Sequence, residues 1–89
     1  MKSVRTGRFK ETEAKLPEQV KDQAKKAYQL WKQNNQHPSL HYKNVVPGKP
    51  IFSVRVALGY RALGVIENDV MIWFWVGSHA DYEKLIKLL

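Results

Sequence analysis

Arg61, His79 and Tyr82 stand near the two ends of GYRALGVIENDVMIWFWVGSHADY, residues 59–82, an apolar run that needs none of the three in order to form a sheet. Each brings its own chemistry. The imidazole of His79 can take or give a proton. The guanidinium forks of Arg61 and of Arg55, in the segment before, match the oxygens of a phosphate. Tyr82 has a flat apolar face and one exchangeable proton, and Lys43 is a further cation one segment upstream. Proton transfer beside a bound phosphate is the chemistry such a set supports. The residue types alone leave blander readings open: an exposed or capping histidine, solvated cross-strand arginines or an ion pair with Glu67 or Asp81, and a Tyr82 that packs with Leu85, Ile86 and Leu89.

Whether these groups meet depends on the elements that carry them. IFSVRVAL, YRALGVIE and VMIWFWV are rich in Val, Ile and aromatics and are separated by an LGY bend and a polar ENDV turn. With LHYKNVV before PGKP, they read as successive antiparallel strands. The ENDV turn lies midway between Arg61 and His79, so an antiparallel pair returns both to the same end, and the LGY hairpin brings Arg55 there too. Period-two alternation puts Phe52, Val54 and Val56 on one face of their strand; Ile72, Phe74 and Val76 share one face of the last strand, with Met71, Trp73 and Trp75 on the other. Both tryptophans are expected in the core rather than stacked on bases. Upstream, LPEQVKDQAKKAYQLWKQN spaces Leu16, Val20, Ala24, Ala27, Tyr28 and Trp31 at three and four, which predicts an amphipathic helix over 16–34. Its residues Val20, Ala24, Tyr28 and Trp31 are expected to meet Phe52, Val54, Ile72 and Phe74. GRFKETEAK predicts a shorter helix carrying Phe9, Lys2 to Thr6 a short edge strand, and ADYEKLIKLL a C-terminal helix closing one edge of the sheet. The expected fold is α+β, with N-terminal helices packed on a sheet of three to four antiparallel strands and a short C-terminal helix.

With 89 residues and no low-complexity segment, the chain reads as a single domain, 1–89. It contains no cysteine, which excludes disulfides and thiolate metal sites. His37 and His41 are four apart, but Pro38 between them argues against one helical turn offering both to a metal, so neither metal nor cofactor is expected. The charged N-terminus is unlike a secretory signal, and no apolar run approaches the roughly 20 residues that span a bilayer; a cytoplasmic, membrane-free protein is expected. Net charge is +7, and the first 50 residues hold 11 basic against 4 acidic side chains while the last 39 hold 4 of each. Such an excess points to a polyanion or an acidic protein as partner, with Lys26 and Lys43 as candidate contacts to nucleic acid. No phosphate loop, nucleophile elbow or paired carboxylates appear, which removes the nucleotide-hydrolysing, esterase and glycosidase classes.

The order of elements, together with HPSLHYK, SVRVALGYRALG and WVGSHADYEKL, resembles the RelE/ParE superfamily of small bacterial toxins over nearly the whole chain. A strand arginine, a GYR opening the next strand and a GSHxxY closing the last occur in that family's order, and the GSHADY ending is most similar to the YafQ branch. The resemblance implies the toxin component of a toxin–antitoxin system: a metal-free endoribonuclease that cleaves mRNA, often on the ribosome, and is neutralised by a cognate antitoxin. Such cleavage needs a base for the 2′-OH proton, a cation on the phosphate and an acid for the leaving 5′ oxygen. His79, Arg61, Arg55 and Tyr82 are the candidates. Ala80 and Asp81 after His79 depart from the more basic RelE pattern and put dependence on the ribosome in doubt. A gyrase inhibitor of the ParE branch, which needs no histidine, and a catalytically idle binding protein of the same fold are the alternatives.

Overall fold

Alternating residues make three long strands of the second half of the chain, and two-residue turns fold them back on one another. In a computed structural model describing residues 1–89, β1 (Lys2–Arg5) leads into α1 (Gly7–Ala14) and α2 (Glu18–Gln33), and a 3-10 turn over Pro38–Leu40 precedes β2 (Lys43–Asn44). Then come β3 (Ile51–Ala57), β4 (Tyr60–Glu67), β5 (Val70–Ser78) and α3 (His79–Ile86). The β4–β5 turn holds Asn68 and Asp69 at φ 50° and 62°, the left-handed pair that suits the twist of a tight hairpin. Strand order is β1-β5-β4-β3-β2, and β2 to β5 are antiparallel neighbours as expected. No helix is long and apolar enough to cross a membrane.

Three expectations are corrected. The sheet has five strands, because β1 joins its edge and runs parallel to β5, with Lys2 opposite Val70 and Arg5 opposite Trp73. Beyond Arg5 the chain turns into α1, and Thr12 of α1 accepts a hydrogen bond from the Val76 N–H at 3.2 Å, satisfying a donor that β1 no longer reaches. The segment LHYKNVV shrinks to two strand residues, since Pro38–Leu40 forms a turn and His41 adopts a left-handed conformation at φ 47°. The C-terminal helix lies not along an edge but on the sheet face opposite α1 and α2, so the molecule has three layers.

The third layer follows from a bulge in β5. Leu63 pairs with Trp75 and Gly64 with Trp73, which leaves Phe74 without a partner and shifts the alternation by one. Met71, Trp73 and Val76 therefore face α1 and α2, where Phe9, Ala24, Ala27, Trp31, Val54 and Ala62 join them in the main core. Ile72 and Phe74, expected under the long helix, are not there. Trp75 turns to the other face and, with Leu63, Ile51, Val46 and Tyr82, forms a second core under α3. Trp31 meets Trp73 edge to face at 5.2 Å, and Phe52 and Tyr28 pack at the margin of the main core.

Gly64 is where the bulge is tightest. A Cβ there would lie 2.5 Å from the Met71 sulfur and 2.7 Å from the Trp73 ring. Met71 can yield, but Trp73 is 2% exposed and pinned by Trp31. Gly64→Ala is expected to cost about 1–3 kcal/mol by overpacking and to lower Tm by roughly 5 °C or more. Gly7→Ala, where a Cβ meets nothing within 4 Å at the start of α1, is expected to leave Tm unchanged or raise it. Thermal melts of both variants check this.

Candidate active site

Register decides what the sheet presents at its α3 end. Arg55 of β3 lies directly opposite Arg61 of β4, and Arg61 lies opposite Gly77 of β5. The three positions form one row across the sheet, and residues opposed in this way point to the same face. Gly77 has no side chain to crowd Arg61, and a Cβ there would strike the Trp75 ring at 2.5 Å. One residue on, the Ser78 hydroxyl accepts a hydrogen bond from the Asp81 N–H and caps α3, so that His79 is the first helical residue. The His79 N–H also donates to the Gly59 carbonyl at 2.8 Å, which ties the helix start to the β3–β4 hairpin. The GSH sequence thus works as spacer, cap and imidazole.

Arg55, Arg61 and His79 line one open concavity at the hairpin end, together with His41. Arg61 lies over the Tyr82 ring with Cζ 5.6 Å from its centre, and the His79 ring is 5.5 Å from the same ring. One phosphodiester can reach both. Neither arginine makes an ion pair with Glu67, Asp81 or any other carboxylate; of the chain's three ion pairs, Arg5–Glu13 and Lys21–Glu18 lie elsewhere and the third joins His79 to Glu83. One terminal nitrogen of Arg61, Nη1, is buried without a hydrogen-bond partner. Leaving such a donor unpaired costs about 1–3 kcal/mol, and like charges directly opposed in a sheet add to the cost.

Tyr82 is 5% exposed and belongs to the second core. Of the two roles open to it, burial favours packing: its ring carries Arg61 and abuts His79, and offers no free face to a base. Lys43 is opposite Ser53 in the β2–β3 ladder, on the same sheet face as the arginines but outside the concavity. Lys26, on α2, borders a separate groove that shares Arg55 with the first.

Two members of the site were not anticipated. His41 enters because the β2–β3 pairing, continued past Lys43, brings it beside Arg55, a register that the sequence alone does not fix. Glu83 places an oxygen 3.3 Å from His79 Nδ1, and here a signal was present, since the two are four apart on a helix. Beside His41, burial raises the Tyr42 phenol above its usual range, and the neighbouring Trp31 indole offsets this only in part without forming a hydrogen bond of good geometry. His37 spends its Nδ1 on Ser39, and no three His, Asp or Glu side chains are grouped as a metal site would require.

The fold has solved relatives. The RelE toxin in the RelB–RelE antitoxin–toxin complex of Methanococcus jannaschii superposes with a TM-score of 0.74 at 13% identity, covering 92% of this chain and 96% of that one. YafQ of E. coli gives 0.72 at 12% identity, over 90% and 94%. The isolated E. coli RelE toxin gives 0.63 at 17%, over 99% and 98%. Identities this low establish the fold and leave the chemistry to the residues. No curated protein sequence matches the chain. Residues 18–84 match the family of ParE-like toxin domains, and with three quarters of its length inside that match the chain belongs to this family.

Proposed function

We propose that the protein is the toxin of a toxin–antitoxin pair and acts as a metal-free endoribonuclease on mRNA. The observation that carries this reading is the cross-strand pair Arg55–Arg61, unpaired by any carboxylate and opening on the same concavity as His79. A sheet gains nothing from two opposed arginines; a phosphodiester does. Arg55 and Arg61 hold the non-bridging oxygens of the scissile phosphate and stabilise the charge that grows on them in the transition state. His79 handles one proton of the reaction, with Glu83 fixing its Nδ1 side and leaving Nε2 for the substrate. His41 is a second imidazole on the same concavity and is available for the other proton, so that one removes the 2′-OH proton and the other supplies the leaving 5′ oxygen. Tyr82 acts from below as a positioning residue. Lys43 extends the cationic surface toward the adjoining phosphate.

The partner expected from charge is acidic. The related M. jannaschii toxin is held in a complex with its antitoxin, which supports a cognate antitoxin here, seated so as to cover the two arginines. A gyrase-type inhibitor would need neither imidazole, and the presence of two beside the arginine pair favours the ribonuclease.

Cleavage of a single-stranded RNA, measured with and without ribosomes, is expected to slow by roughly a hundredfold or more in His79→Ala and in Arg61→Ala. Arg61→Lys is not expected to restore it, because an ammonium cannot reproduce the two-pronged contact. Lys10→Ala, on the exposed side of α1, is the control. Equal cleavage by all of these overturns the assignment, and growth arrest that survives His79→Ala indicates the protein-binding alternative. In a separate experiment, the affinity for uncleavable RNA is expected to fall steeply as salt rises from low to physiological concentration, since contacts to phosphate release counterions. A flat response would remove the basic face from the binding surface.

A further inference from the structure

The concavity at His79 is not isolated. At the end of β3 it meets a second groove on the α2 side of the sheet, and Arg55, Ala57 and Leu58 border both. This groove has a volume of about 370 Å3, an apolar floor formed by Ala27, Leu30 and Leu40, and Lys26 and Gln23 at its rim. Neither lining contains an aspartate or glutamate. Leu58, at the tip of the hairpin between the two, is 82% exposed, an apolar side chain that no fold contact explains. Ser39 in the groove is already bonded to His37, whereas the Gln23 amide is bonded to no other side chain.

We propose that the second groove is a subsite for the nucleotide next to the scissile phosphate. The strand leaves Arg55, passes over Leu58, sets its next base against Ala27, Leu30 and Leu58, and presents that base's edge to Gln23. The following phosphate meets Lys26. The volume lies at the small end of ligand pockets, which begin near about 300 Å3, so the groove takes one base and not a folded segment. The path runs round a hairpin end from one sheet face to the other, a bend that a single strand follows and a stiff duplex does not. An amide reading a base edge confers sequence preference, whereas the arginine pair, which touches only phosphate, confers none. Gln23 is therefore the specificity-determining residue for the flanking position. The phosphate site it extends is that of the ribonuclease reading, on which the inference rests.

The test uses 2′-O-methyl oligonucleotides, which bind without being cut, in a nested series lengthened one nucleotide at a time from either end. Affinities are measured by fluorescence anisotropy on the full chain. For the wild-type protein, one particular added nucleotide is expected to tighten binding by about tenfold, through the apolar surface its base covers and the phosphate contact it adds. Gln23→Ala and Lys26→Ala are expected to lose that step and keep the affinity of shorter oligonucleotides, while Arg61→Ala weakens all lengths alike and Lys10→Ala changes nothing. A step that persists unchanged in both groove variants overturns the proposal, as does a wild-type protein with no step. RNA that binds with the step but is never cut in its 2′-OH form keeps the subsite and sinks the ribonuclease reading. Failure of every oligonucleotide to bind sinks both, and loss of antitoxin binding alone in the groove variants reassigns the groove to the partner protein.

Discussion

The register of β4 between its two neighbours is the constraint on which the site depends. Arg61 faces Arg55 on one side and Gly77 on the other, and only that alignment sets two arginines in one row beside a position with no side chain. A slip of one residue on either ladder would turn Arg61 and Leu63 toward the main core and Ala62 to the α3 face. Two devices hold the alignment. The left-handed pair Asn68–Asp69 sets the β4–β5 turn, and the bulge at Phe74 absorbs one residue so that Gly77 still reaches Arg61. The same bulge sends Trp73 and Trp75 to opposite faces, giving α3 a core of its own to sit on. The helix that carries His79 is therefore fixed by the irregularity that completes the arginine row.

The energetics at that row are unfavourable for the protein alone. The two arginines are like charges in direct opposition, and one nitrogen of Arg61 is buried with nothing to bond. The Tyr82 ring beneath returns part of the cost, since a guanidinium over an aromatic face at this distance is worth about 0.5–1 kcal/mol or more, but it satisfies no donor. Stability is supplied elsewhere, by the Trp31–Trp73 contact and by apolar cores on both faces of the sheet.

How far the sequence leads can be traced through particular residues. The helix under Val20, Ala24 and Trp31, the antiparallel strands, and the convergence of Arg55, Arg61 and His79 all follow from local periodicity and from the position of one turn, because each is a short-range quantity. Trp73 is the instructive failure, lying under the long helix and not on the face it was expected to share with Trp75. Alternation predicts its face correctly only while the strand is regular, and the Phe74 bulge, fixed by long-range packing of Trp73 against Trp31, carries no local mark except the neighbouring Gly64. The parallel pairing of β1 joins residues some 68 positions apart, Lys2 with Val70, and no periodicity reports it. His41 was missed for a similar reason, since its place depends on how β2 registers with β3. Glu83 was legible as a helical neighbour of His79 and shows that a charge pair one turn away belongs in any inventory built around a histidine.

Charge shows where the two halves of the chain divide their labour. The excess of basic residues lies in the first 50, most of it off the helices, because all four acidic residues of that half sit on α1 and α2, while the candidates Arg55, Arg61 and His79 lie in a second half whose acidic and basic residues balance. Within that balanced half the acidic residues are kept away from the arginines: Glu67 and Asp69 sit at the far hairpin, and Asp81 and Glu83 lie on α3, where Glu83 meets the histidine and not Arg55 or Arg61. The cations of α2 reach the arginine pair only round the end of β3, through Arg55, which borders both grooves. On the ribonuclease reading, a strand that occupies both grooves passes Arg55. On the same reading long-range attraction belongs to the lysines and local discrimination to Gln23, and because all of them stand on α2 the two are separated by single substitutions within one helix.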